Sequence, residues 1–226
     1  MPEIAVLFDV ENTLIKEKKN VSDYYFEAIR FVYGLSIDDI NLADYEGLTV
    51  QETLIEILQK QGLKKEEILE KHEQFLEELP YAHYNVAGHD SAVLVDGAKT
   101  ILNNLKDNNR YVIGAASGQL ERILSNMFDR VNMKYDNYFK FGAYGNVSEN
   151  MSKILDSAMA KAGKEYGIDK HGIYFVSNVK NHVHAAHALG IRAVGVITDP
   201  FSEKDLKNLG VIHIAKNLKD CERFIK

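Results

Sequence analysis

The sequence predicts an α/β fold: a parallel sheet wrapped by helices on both faces, with a helical unit inserted after the first strand. Three observations predict it. Residues 4–8, Ile-Ala-Val-Leu-Phe, form an unbroken apolar run, the mark of a strand buried on both faces in the middle of a parallel sheet. From Ala92 onward helical and extended patterns alternate, as the crossovers of a parallel sheet require. Between these two stretches, residues 16–90 show helical periodicity with no strand among them.

Each element has a local cause. Ser22 is placed to N-cap a helix running through Tyr33, which Gly34 ends. Thr49, with Glu52 three residues on, is a capping-box signature ahead of Leu54, Ile55 and Leu58. A third helix is expected over 64–79, with Ile68, Leu69, Phe75, Leu76 and Leu79 on one stripe and Pro80 as its stop. Downstream, helices are expected over 97–105, 119–127, 152–162 and 181–189, the last closed by Gly190. Another is capped by Ser202, and a final helix ends the chain. Strands are expected over 111–115, 173–176, 192–197 and 211–214, with an extended aromatic segment at 138–141. The result is a core of residues 1–15 and 91–226 and a helical insert of residues 16–90.

Composition excludes several functional classes. The chain has 226 residues, 46% hydrophobic and 27% charged, with a net charge of −6, so a full core can be buried. No basic cluster interleaved with aromatics appears, which argues against a nucleic-acid partner. The single cysteine, Cys221, rules out an intrachain disulfide and a cysteine zinc site. No apolar run approaches the roughly 20 residues that span a bilayer, and the start of the chain lacks the pattern of a signal peptide. The expectation is a cytoplasmic protein with no membrane partner.

Chemistry is concentrated at the ends of the predicted strands. Asp9 follows the first strand at its carboxyl end, where open α/β sheets keep their active sites. An aspartate there can attack an electrophile and form a covalent intermediate, or it can cap the turn. Ser117 follows the 111–115 strand as either a helix N-cap or an anion ligand, and Gly118 lets backbone N–H groups approach an anion. Lys153, near a helix start, reads as a solvated surface residue. Of the clustered histidines, His184 and His187 read as solvated, and His182 lies toward the cleft.

Taken in order, these positions resemble the haloacid dehalogenase superfamily, in particular its phosphatase branch with a small helical cap, of the phosphoglycolate phosphatase-like kind. The likeness covers essentially the whole chain and includes Gly47-Leu48-Thr49, similar to the family's Gly-x-Thr turn. It implies a Rossmann-like core with an inserted helical cap domain, and a small anionic, phosphorylated substrate. By the same likeness Asp9 is the nucleophile, and Glu11 stands where the family has an aspartate that protonates the leaving group. Thr13 fixes the turn and borders the substrate, Ser117 and Gly118 bind the substrate's anionic group, and Lys153 offsets charge.

The fourth motif departs from the family. Phosphatases of this kind end a strand with Gly-Asp and place another Asp four residues on, to hold Mg²⁺. Here Asn178 and His182 stand at those positions. The metal ligands would then be Asp9, Glu11 and Asn178, a weak set for Mg²⁺. The loss matters because two unit charges about 4 Å apart repel by about 4 kcal/mol at an effective dielectric near 20, and a phosphate dianion about doubles this. Three functions follow: a phosphatase of small phosphorylated metabolites using an aspartyl-phosphate on Asp9 and a weakened Mg²⁺ site; a non-catalytic anion- or phosphate-binding protein on the same scaffold; or a metal-free 2-haloacid dehalogenase, whose Ser and Asn Ser177-Asn178 partly echo.

Overall fold

In the computed structural model, which describes residues 1–17, 23–37, 41–45, 47–88, 91–197, 203–208, 211 and 213–226, the first apolar run forms β1 (Ile4–Phe8) at the centre of a six-stranded parallel sheet. Its side chains alternate between two cores. Ile4, Val6 and Phe8 enter one, and Ala5 and Leu7 the other, which is why no polar residue interrupts the run. After β1 the chain forms β2 (Ile15–Glu17), then α1 (Asp23–Tyr33), α2 (Val50–Lys60), α3 (Lys65–Glu70) and α4 (His72–Val86), and returns through β3 (Ala92–Leu94). β2 and β3 pair antiparallel, with Ile15 opposite Leu94 and Glu17 opposite Ala92. This short ribbon, absent from the sequence-based expectation, frames the helical segment.

The remainder alternates as expected: α5 (Ala98–Lys106), β4 (Tyr111–Ala116), α6 (Glu121–Arg130), β5 (Phe141–Ala143), α7 (Met151–Tyr166), β6 (Ile173–Ser177), α8 (Lys180–Ala188), β7 (Arg192–Val196), α9 (Glu203–Asn208) and β8 (His213–Ala215). The strand order is β5-β4-β1-β6-β7-β8. The chain therefore winds outward from β1 in one direction and then, through β6, in the other. Such a reversal opens a crevice at the carboxyl ends of the two inner strands. No helix among the described residues is long and apolar enough to cross a membrane.

Local chemistry explains most boundaries. Gly34 ends α1 with φ 69°, and Gly167 ends α7 with φ 71°, left-handed conformations that glycine adopts without strain. The capping box of α2 is complete: Thr49 Oγ1 accepts from the Glu52 N–H at 3.2 Å, and Glu52 accepts from the Thr49 N–H at 2.9 Å. Thr49→Ala removes the first of these bonds and is expected to cost about 1 kcal/mol. In a chain of this size that lowers the melting temperature by about 2–4 °C, readable by calorimetry.

Four expectations are corrected. The helix expected over 64–79 is two helices that break at Lys71, and Pro80 lies inside α4 rather than after it. A proline inside a helix loses a hydrogen bond and costs about 3 kcal/mol, but α4 continues because Phe75, Leu76, Leu79, Ala82 and His83 bury one face. That face meets α1, where Tyr25 packs on Phe75 with ring centres 6.0 Å apart and Tyr24 stands edge-on to His83 at 4.9 Å. The aromatic segment at 138–141 is not a strand until Phe141. Before it, a 3-10 turn over Tyr135–Asn137 lets Tyr135 and Phe139 stack at 4.4 Å and both meet Phe128 edge-on. The final helix is a 3-10 segment, Leu218–Arg223. α7 starts one residue early, with Asn150 as its cap, and runs on to Tyr166. The expected caps Ser22 and Ser202 lie outside the described residues.

The ribbon also carries charge. Glu17 on β2 meets His83 Nε2 of α4 at 2.7 Å and Arg130 of α6 at 3.9 Å, tying the helical segment to the α6 side of the sheet.

Candidate active site

The site is built where β1 and β6 end side by side. Register pairs Phe8 with Ala115 of β4 and with Val176 of β6, so the next residue, Asp9, is level with Ala116 on one side and Ser177 on the other. The Asp9 N–H still donates to the Val176 carbonyl at 2.9 Å, and the chain then turns sharply as the Leu14 N–H donates to the Val10 carbonyl at 2.9 Å. Asn12 supplies the left-handed residue of this turn, at φ 60°, which asparagine tolerates better than most residues. The turn buries Thr13, whose hydroxyl donates to Asn178 Oδ1 at 2.7 Å and accepts from the Asn178 N–H at 3.1 Å.

Asp9 is held from three directions. Its Oδ1 accepts from the Val10 N–H at 3.0 Å. Its Oδ2 accepts from the Ser177 hydroxyl at 2.8 Å and lies 2.8 Å from His182 Nδ1. The Ser177 oxygen in turn accepts from the Val179 N–H at 3.0 Å. On the far side of the ring, His182 Nε2 is 3.0 Å from the carbonyl oxygen of Gly47, which belongs to the helical segment. Burial works to lower the pKa of His182. The Asp9 charge and hydrogen bond, the Gly47 carbonyl and the Glu52 charge outweigh it, and the net shift is upward. Asp9 is 2% exposed and His182 4%.

Further contacts seat the helical segment on the sheet. The Val50 N–H donates to the Gly118 carbonyl at 2.8 Å, and the Gln51 side-chain amide donates to the Gly145 carbonyl at 2.8 Å. A Cβ on Gly118 would lie 3.0 Å from the Thr49 Cα, and one on Gly47 2.9 Å from a Val179 methyl. These glycines admit the close approach of the two segments.

The sequence-derived candidates divide. Asp9 and His182 meet in one hydrogen-bonded cluster with Ser177, and Thr13 and Asn178 form a second pair directly beside it, through the residue that follows Ser177. Ser117 lies at the same sheet end, one residue beyond β4, and its hydroxyl accepts from the Gln119 N–H at 3.3 Å. It closes a turn, and α6 is capped at Leu120, so Ser117 is not that helix's N-cap. Glu11 is half-buried, and its charge helps raise the pKa values of Tyr24 and Tyr25 in α1, after the dominant effect of their burial. Lys153 is exposed in the first turn of α7. It lines a cavity of about 320 Å³ with Glu52, Ile55, Glu56, Glu149 and Asn150. Glu52 is shared between this cavity and the surroundings of His182. His184 and His187 are exposed.

Sequence reasoning gave neither of two groups its part in holding Asp9 and His182. Ser177 entered only as an echo of the dehalogenases' serine. The Gly47 carbonyl carries no side-chain signal at all.

These residues do not fit a tight Mg²⁺ site. The Asn178 side-chain oxygen is taken by Thr13 and carries no charge. The imidazole of His182 occupies the space against Asp9 Oδ2. Among the described residues no group of three or more His, Cys, Asp or Glu side chains is arranged to hold a metal ion, whereas Mg²⁺ needs hard oxygen ligands in near-octahedral array.

The sequence model of the haloacid dehalogenase-like hydrolases matches residues 6–196. The chain belongs to that family. Solved structures agree on the fold. A haloacid dehalogenase-like family protein from Streptococcus pneumoniae superposes with a TM-score of 0.66 at 14% identity, covering 99% of this chain and 98% of that one. A Bacteroides fragilis protein assigned as a haloacid dehalogenase-like hydrolase gives 0.69 at 18% identity, covering 96% and 98%. A β-phosphoglucomutase from Clostridium difficile gives 0.63 at 17% identity over the whole of both chains. No curated protein matches the chain in sequence. At these identities the structural likeness establishes the fold, and the chemistry has to be argued from the site.

Proposed function

We propose that this family member is a phosphatase of small phosphorylated metabolites, with Asp9 as nucleophile and residues 16–90 acting as a cap over a core of residues 1–15 and 91–226. The observation that carries it is the position and support of Asp9. It ends the central strand at the reversal of strand order, and its Oδ2 is fixed by Ser177 and His182 while its Oδ1 accepts only the Val10 N–H among the described residues.

In this reading Asp9 Oδ1 forms a bond to phosphorus as the bond from phosphorus to the ester oxygen breaks. The departing oxygen takes a proton from Glu11, which then draws one from water. Water attacks the aspartyl-phosphate and releases inorganic phosphate, restoring Asp9. Thr13 and Asn178 hold the turn that carries the nucleophile, Ser117 and Gly118 border the phosphate, and Lys153 offsets charge. Any Mg²⁺ bound through Asp9, Glu11 and Asn178 is held weakly. Entry of substrate requires the 47–51 stretch to lift from Gly118, Gly145 and His182.

A second reading, a phosphate-binding protein without turnover, draws support from the poor fit of Asn178 and His182 to a Mg²⁺ site. One set of assays separates the readings. Release of phosphate from a panel of aryl and sugar phosphates is the expected result. Release of halide from 2-haloacids would instead support the dehalogenase alternative. Calorimetric binding of a phosphate ester with no product formed would establish the binding protein.

A further inference from the structure

We infer that the imidazolium of His182 is the resident cation of this site, so that a phosphate-bearing ligand binds and reacts without a divalent metal. The inference deepens the phosphatase reading and rests on it for the catalytic part. The charge state follows from bond geometry. The Gly47 oxygen is a carbonyl and can only accept, so His182 Nε2, 3.0 Å away, carries a proton. Asp9 Oδ2, 2.8 Å from Nδ1, already accepts from Ser177, and as a carboxylate oxygen it too accepts. With both nitrogens donating, the ring carries a positive charge.

That charge sits against the nucleophile, where an anionic ligand needs compensation. A carboxylate at this position would favour a divalent ion, whereas an imidazolium repels one. Asn178 changes the balance in the same direction, because its neutral amide gives up an anionic oxygen and turns toward Thr13. With an imidazolium and an amide in place of two carboxylates, the site gains three units of positive charge, one more than a bound Mg²⁺ would bring. The cation is therefore built into the chain: Asp9 anchors its Nδ1, and its Nε2–H, held by the Gly47 carbonyl in the closed site, is freed toward the ligand when residues 47–51 lift.

The test uses the full chain after dialysis against EDTA. Inorganic phosphate is titrated calorimetrically into the native protein, His182→Gln, and the double variant Asn178→Asp/His182→Asp, each with and without millimolar MgCl₂. The expected result is metal-free phosphate binding by the native protein, changed by less than about twofold by Mg²⁺. His182→Gln should bind at least tenfold more weakly, and the double variant should bind only when Mg²⁺ is added. Nitrogen-15 NMR of the native protein should show both His182 ring nitrogens protonated, a measurement that needs no variant to fold. A tenfold gain in native phosphate affinity on adding Mg²⁺, or a neutral His182 ring, would overturn the inference. Hydrolysis that appears only with Mg²⁺ would leave the phosphatase reading intact and remove this one. Metal-free phosphate binding without hydrolysis of any ester would do the reverse.

Discussion

Asp9→Asn is expected to lower phosphate-ester hydrolysis by at least about 10⁴-fold, as loss of a covalent nucleophile does elsewhere, while leaving the fold in place. Asparagine keeps the shape of the side chain and one oxygen to accept from Ser177, but it cannot form an acyl-phosphate that water cleaves. The cost to stability is smaller. Exchanging a charge-assisted hydrogen bond to His182 for a neutral one should remove about 1–1.5 kcal/mol, with His182 still joined to the Gly47 carbonyl. A steady-state assay with an aryl phosphate, run beside a circular-dichroism melt, reads both quantities. Activity within tenfold of the native protein would show that Asp9 is not the nucleophile, and the turn-capping use of the residue would then be its whole function.

The parts of this molecule legible in its sequence are those whose cause is local. The run Ile4–Phe8 reads as a doubly buried strand, and the Thr49–Glu52 pair as a cap for orphan N–H groups at a helix start. Of the site residues, Asp9 was visible at its strand end and Thr13, Asn178 and His182 through the likeness to the family; the structure pairs Asp9 with His182 and Thr13 with Asn178 at the same strand ends. What escaped was non-local. β2 and β3 are three residues each, and β2 holds Lys16 and Glu17. They are strands only because distant segments pair, so no periodicity could reveal them. Pro80 was misread because propensity speaks for a helix end, whereas the buried face of α4 against α1 decides the matter. The contact of Glu17 with His83 and Arg130 likewise joins three elements distant in sequence. Ser177 and the Gly47 carbonyl belong to the same class. Their partners are fixed by the sheet register and by the seating of the helical segment, neither of which leaves a mark in the local sequence.

His182→Leu should be the most destabilising single change in the site. Leucine comes close to the ring in volume, so the loss is electrostatic rather than steric. The Asp9 carboxylate would remain 2% exposed with only the Ser177 hydroxyl and the Val10 N–H as partners, and removing one member of a buried pair typically costs about 3–5 kcal/mol. For a chain of this length that is about 6–20 °C in melting temperature. The Gly47 carbonyl also loses its donor, so the helical segment should open more readily, seen as faster hydrogen exchange across residues 47–51. The double variant Asp9→Asn/His182→Leu should be more stable than His182→Leu alone, because the stranded charge is gone, and that sign distinguishes an ion pair from mere packing. The pH dependence follows from the upward shift of His182. A group whose folded pKa is raised stabilises fully below its unfolded value near 6.5, and that contribution is lost as pH rises through the folded value. The native protein should therefore lose this stabilisation on the alkaline side, and His182→Leu should show a flatter profile there. A leucine variant as stable as the native protein at neutral pH would mean that the Asp9–His182 pair contributes nothing to holding the site together.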